Sequence, residues 1–126
     1  MTTKETALLA AMGFGIWLSG AVGYRFGGAL MFEKGPLVLA LVALGMAVSV
    51  CLLLRATMDW RRIPASQSAT VALIMTIGGL LGDVVYIADF SGITGLKATT
   101  AGPFAAVLIF ATAVLYLYAL VRAAKA

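Results

Sequence analysis

LVLALVALGMAVSVCLLL, residues 37–54, carries no charged side chain, and Ser49 is its only hydroxyl. A helix rises about 1.5 Å per residue, so a run of this length nearly crosses the roughly 30 Å hydrocarbon core of a bilayer. Read outward from it, the chain divides into four apolar runs. Glu33-Lys34-Gly35-Pro36 is a tight turn before the run, and Pro36 suits the first turn of a helix because its missing N–H costs nothing there. A first helix is expected from about Thr3 to Phe32, with its span at 6–32 and a Thr2-Thr3-Lys4-Glu5 capping box at its start. It is read as a retained helix, not a cleaved leader, because the apolar stretch is too long and three more follow.

After residues 37–54, Arg55 to Ser68 is the one clearly polar connection, with Pro64 as a helix stop and Ser66 or Ser68 as a cap. The third span is expected at 69–88, a loop over 89–100, and the fourth span at 101–121. The fold class that follows is all-α: a single polytopic membrane domain, a bundle of four transmembrane helices.

Composition agrees. The chain has 126 residues, 63% hydrophobic and 11% charged, where soluble domains have about 25% charged. There is one cysteine, Cys51, and no histidine. This excludes an intrachain disulfide and any histidine-based metal or acid–base chemistry. Carboxylates are confined to Glu5, Glu33, Asp59, Asp83 and Asp89. No metal, cofactor or catalytic residue is expected, and the chain reads as a non-enzyme. The net charge of +4 sits beside helix ends, which suits membrane topology and anionic lipid; nucleic acid is not expected as a partner.

Four spans put both termini and the middle connection on one side. That side carries Lys4, Arg55, Arg61, Arg62, Arg122 and Lys125, and the other carries Lys34 and Lys97. The positive-inside bias places both termini in the cytoplasm, with a bacterial inner membrane as the expected location.

Two ionisable residues fall inside spans. Arg25 lies roughly 10 Å below the outer end of the first helix, and Asp83 roughly 9 Å below the outer end of the third. Opposite charges at matching depth in lipid are candidates to pair, since either alone is costly to bury. Tyr24 and Tyr86 stand beside them as hydrogen-bond donors to the pair or to a ligand. The pair reads either as a bridge between helices or as a polar site for a solute, ion or proton. Gly13, Gly20 and Gly27 recur at seven-residue spacing, and Gly78-x-x-x-Gly82 is a small-x-x-x-small pattern, both suited to close helix packing in lipid. Arg55, Arg61 and Arg62, with Trp60 among them, read as a headgroup or partner contact.

Gly15-Ile16-Trp17 followed by Tyr24-Arg25-Phe26-Gly27, then Gly82-Asp83, Ala101-Gly102-Pro103-Phe104-Ala105-Ala106 and Tyr118-Ala119-Leu120, resemble small bacterial membrane proteins of the uncharacterised DUF5367-type family. The resemblance implies four spans and leaves activity unassigned. It points to Arg25 and Asp83 as positions to test.

The leading expectation is a small non-enzymatic membrane protein, structural or accessory to a membrane assembly. The alternative is an oligomeric small-molecule or ion transporter using the polar site near Arg25 and Asp83. Membrane lipids, and a homo-oligomer or larger complex, are the expected partners.

Overall fold

A computed structural model describes residues 2–126. Five α-helices follow one another: α1 (Thr3–Phe32), α2 (Pro36–Arg61), α3 (Ser68–Ala88), the short α4 (Phe90–Thr94) and α5 (Ala101–Ala124). No strand occurs among the described residues. Four of the helices are long and apolar enough to cross a membrane, so the chain is a multi-pass membrane protein. Its surface confirms the solvent: Phe26, Leu44, Leu81, Ile109 and Leu117 all point outward, where only lipid makes them favourable.

Local chemistry sets the helix ends. The Thr2 hydroxyl accepts the Glu5 N–H at 3.1 Å, which is half of the expected capping box. The reciprocal half is not made, because the Glu5 carboxylate turns to Arg61. Gly35 holds φ at +110° between α1 and α2, a backbone region that a side chain would strain, and Pro36 follows at the first helical position.

α2 is longer than its uncharged stretch: it passes Leu54 and ends at Arg61. Leu54, Thr57 and Met58 are buried against the bundle, so this last part is held by packing although its outer face is polar. Arg62 adopts the left-handed conformation, φ 54°, and Ile63 N–H reaches back to the Met58 carbonyl at 2.9 Å. This is the hydrogen-bond pattern of a Schellman stop, built here on a residue with a side chain. A 3₁₀ turn over Ala65–Gln67 leads into α3. Ser68 is buried and donates to the Ala65 carbonyl at 2.6 Å, so neither Ser66 nor Ser68 makes a side-chain cap.

The expected loop over 89–100 is largely helical. α4 fills its first half, closed by Gly95 at φ +74°, and a 3₁₀ turn over Ala98–Thr100 opens α5. Glu33 fastens this region to the first turn of the chain, accepting from Thr100 Oγ1 at 3.2 Å and from the Lys97 N–H at 3.4 Å.

In space α1 packs along α3, α3 along α5, and α5 along α2, while α1 and α2 touch sparsely despite their short connection. The core splits into two clusters. At the end bearing the termini, Leu9, Leu54, Met58, Val71, Leu115 and Ala119 close the bundle. At the opposite end, Phe32, Tyr86, Phe90, Phe104 and Val107 do the same. The space between the clusters is not filled.

Candidate intramembrane binding site

Glycines bring α1 and α3 together. A Cβ at Gly13 would lie 2.0 Å from the Met75 carbonyl oxygen, so main chain meets main chain at that crossing. One turn further along, the Trp17 indole lies in a slot cut by two missing side chains. A Cβ at Gly79 would stand 3.0 Å from the ring, and one at Gly82 would stand 2.7 Å from it. The indole N–H then donates to Asp83 Oδ1 at 2.7 Å. In lipid an indole N–H and a carboxylate both need a partner, and here each supplies one.

Tyr86, one turn beyond Asp83 on α3, is buried and donates its hydroxyl to the Ala21 carbonyl on α1 at 2.9 Å. Tyr24 turns toward α2, with its hydroxyl 3.9 Å from the Met46 sulfur. Neither tyrosine donates to a charged side chain.

Arg25 does not meet Asp83. Its Nη1 donates to the Ile93 carbonyl at 2.6 Å, one of the unsatisfied carbonyls at the end of α4. Among the described residues the ion pairs are Arg61–Glu5 and Arg122–Asp59, and Asp83 belongs to neither. The physical reason is register. α1 and α3 run parallel, and Trp17 and Ala21 of α1 stand level with Asp83 and Tyr86. α1 has 30 residues and α3 has 21, so α1 runs past the end of its neighbour. Arg25 therefore stands beside α4. Equal distances from the two helix ends are not equal levels in the bundle, because the ends of α1 and α3 are not level.

The packing glycines also divide. Gly13 and Gly82 sit at close approaches, and Gly78 meets the Phe14 ring at 3.4 Å. Gly20 faces only Tyr24 of its own helix, and a Cβ at Gly27 would meet nothing within 4 Å. A seven-residue spacing drifts around a straight helix by about 20° per repeat. In the basic cluster, Arg61 forms a two-pronged pair with Glu5 at 3.0 and 2.6 Å, tying α2 to α1. Its guanidinium also lies 5.2 Å from the centre of the exposed Trp60 ring. Arg62 forms the helix stop described above, and Arg55 is exposed on α2.

Between the two core clusters lies a cavity of about 380 Å³, bounded by all four long helices. Its wall is mostly apolar. Among the described residues Asp83 is the one carboxylate on it, and the same wall carries the rings of Trp17, Tyr24, Tyr86 and Phe104. The Oδ2 atom of Asp83 has no hydrogen-bond partner among the described residues, since the indole binds Oδ1. Phe104 caps the cavity at the end away from the termini, with ring centres of Tyr24, Phe32, Tyr86 and Phe90 at 5.0–5.4 Å from its own. Thr76 and Tyr116 share a hydrogen bond of 2.5 Å that ties α3 to α5 at the lower part of the cavity. On the side where α1 and α2 barely touch, the rim residues Ile16 and Leu53 are 38% and 41% exposed. The cavity is closed at its two ends by the core clusters and partly open elsewhere, and its least closed side is the one where α1 and α2 touch sparsely.

Trp17, which stands out in the sequence only within Gly15-Ile16-Trp17, is the α1 residue that meets Asp83. Its signal was present as Gly79-x-x-Gly82-Asp83, a slot for a large ring with an acceptor at its edge.

These features define a polytopic helical membrane protein with one carboxylate exposed in an internal cavity. The chain belongs to the family of unknown function DUF5367, whose model matches residues 30–126. That segment holds Asp83, Tyr86 and Phe104, while Trp17, Tyr24 and Arg25 precede it. Comparison with curated proteins and with solved structures gives no match.

Proposed function

We propose that this protein binds a small solute inside the membrane, in the cavity at Asp83, and serves as a carrier or receptor for it. One observation supports this above the others: a membrane-embedded carboxylate lines a cavity of about 380 Å³, and no basic side chain among the described residues pairs with it. An intramembrane acid is costly to keep, and it marks a ligand or ion path unless a fixed partner neutralises it. A bridge from Arg25 would have been that partner, and Arg25 is engaged with α4 instead. The cavity also falls within the size range of small-molecule sites, about 300–1,000 Å³.

A structural or accessory role is the second reading. It is favoured by the Trp17–Asp83 and Tyr86–Ala21 hydrogen bonds, which give Asp83 and its neighbour a part in holding α1 to α3. The charge bias of the helix ends supports placing both termini in the cytoplasm on either reading.

The test is ligand-dependent thermal stabilisation of the protein in lipid nanodiscs, compared with Ala111→Phe, which places a ring in the cavity from the buried Ala111 on α5. Small amphipathic compounds raise the melting temperature of the parent protein and not that of the filled variant. Equal shifts in both would remove the cavity from consideration and leave the accessory role.

A further inference from the structure

We infer that the solute is an amphipathic organic cation, drawn from the bilayer through the gap between α1 and α2, whose positive charge settles against Asp83. This rests on the cavity being a binding site, as proposed above, and adds the chemical class of what it holds.

Charge comes first. Asp83 is the one formally charged group on the wall, and Trp17 satisfies only one of its oxygens. A ligand that brings a positive charge supplies what the fold leaves out. An anion would meet an uncompensated carboxylate, and a neutral ligand would leave it without a counter-charge.

The surrounding donors then choose between kinds of cation. A hard metal ion needs about six oxygen ligands, and no group of three or more potential acidic or thiol ligands occurs among the described residues. The indole of Trp17 touches the carboxylate, and three more rings, Tyr24, Tyr86 and Phe104, share the cavity wall with it. Ring faces attract a diffuse organic cation, most strongly where water is excluded. The remaining wall, including Met75, Leu108 and Leu115, is mostly apolar, with Ser49, Thr76 and Thr112 as its hydroxyl-bearing residues, and suits a hydrocarbon body.

Access is the third element. The Phe104 cluster shuts one end and the Leu9–Met58 cluster shuts the other. The lateral gap, edged by Ile16 and Leu53, faces hydrocarbon. A ligand that enters this way must itself dissolve in the bilayer. An ammonium joined to an aromatic or alkyl body does so, whereas a small hydrophilic cation does not.

The experiment uses three probes of one shape and different charge: benzyltrimethylammonium, its neutral carbon isostere neopentylbenzene, and the anion phenylmethanesulfonate. The full chain carrying Trp60→Phe is placed in phosphatidylcholine nanodiscs, so that Trp17 is the only tryptophan and its emission reports directly on the Asp83 site. The cation is expected to change Trp17 emission saturably and to bind at least about tenfold tighter than the neutral isostere. Asp83→Asn removes that preference, and Ala111→Phe abolishes binding of both. If the neutral isostere or the anion binds as tightly as the cation, the cationic class is overturned while the cavity stands as a binding site. If no probe binds, or if all bind the Ala111→Phe protein equally, the binding-site reading falls with it. The three-probe comparison on the parent chain decides the charge preference even where Asp83→Asn fails to fold.

Discussion

Substituting Gly13 by alanine adds one methyl group at the point where α1 touches the main chain of α3. The new Cβ would stand 2.0 Å from the Met75 carbonyl oxygen and 2.6 Å from its carbonyl carbon and Cα, where real Cβ contacts essentially never fall below 3.0 Å. All three atoms are main chain, so no rotamer change relieves the clash, and the helices must part by about 1.0 Å at the least. Carried one turn along the crossing, the same separation stretches the 2.7 Å Trp17–Asp83 bond beyond hydrogen-bonding distance. Overpacking typically costs about 1–3 kcal/mol, and an interhelical hydrogen bond in a membrane adds about 0.6–1.7 kcal/mol. The expected loss is therefore about 2–5 kcal/mol. Thermal unfolding in nanodiscs measures it, and Trp17 emission in the Trp60→Phe background reports the opening of the slot. Gly15→Ala is the control, since a Cβ there meets nothing within 4 Å, and it should leave both readouts unchanged. Met75→Ala should not rescue Gly13→Ala. A Gly13→Ala protein with parental stability and parental Trp17 emission would refute the described α1–α3 crossing.

Other consequences are open to direct measurement. Gly82→Ala destabilises by a different route, against the Trp17 ring at 2.7 Å, so Trp17→Leu should suppress part of its effect in a double-mutant cycle where nothing suppresses Gly13→Ala. Trp17→Phe combined with Asp83→Asn should show a coupling of about 0.6–2 kcal/mol in thermal unfolding, whereas Arg25→Asp with Asp83→Arg should give no mutual rescue; rescue by that swap would contradict the observed partners. Arg62→Gly should raise stability by about 1 kcal/mol, because a left-handed φ is costly for a side chain and costless for glycine; a drop in melting temperature would count against the Schellman stop. Arg25→Ala should speed amide exchange across α4 and residues 95–97 while leaving the Gly13–Met75 region protected, and uniform exchange throughout would contradict its role as an anchor of α4.

The amino-acid sequence by itself determined the solvent and the class of fold. Residues 37–54 can satisfy their backbone in lipid only as a helix, and three similar runs separated by charged or Gly/Pro-rich turns make a four-span bundle. It also singled out Asp83, because an acid inside such a run is conspicuous wherever it packs. Local signals placed the Gly35-Pro36 turn and the Thr2 cap, since both depend on residues within a few positions of one another. The partners of the polar residues came from tertiary structure alone. Whether Asp83 faces Arg25 or Trp17 depends on how far α1 is shifted along α3, and that shift is set by the Gly13–Met75 contact and the Gly79–Gly82 slot, some sixty residues apart in the chain. The helical fold of residues 90–94 was hidden for a similar reason: Arg25, from another helix, takes up one of its terminal carbonyls. The cavity was hidden as well, because a void is a property of how four helices fail to meet, and no single helix records it.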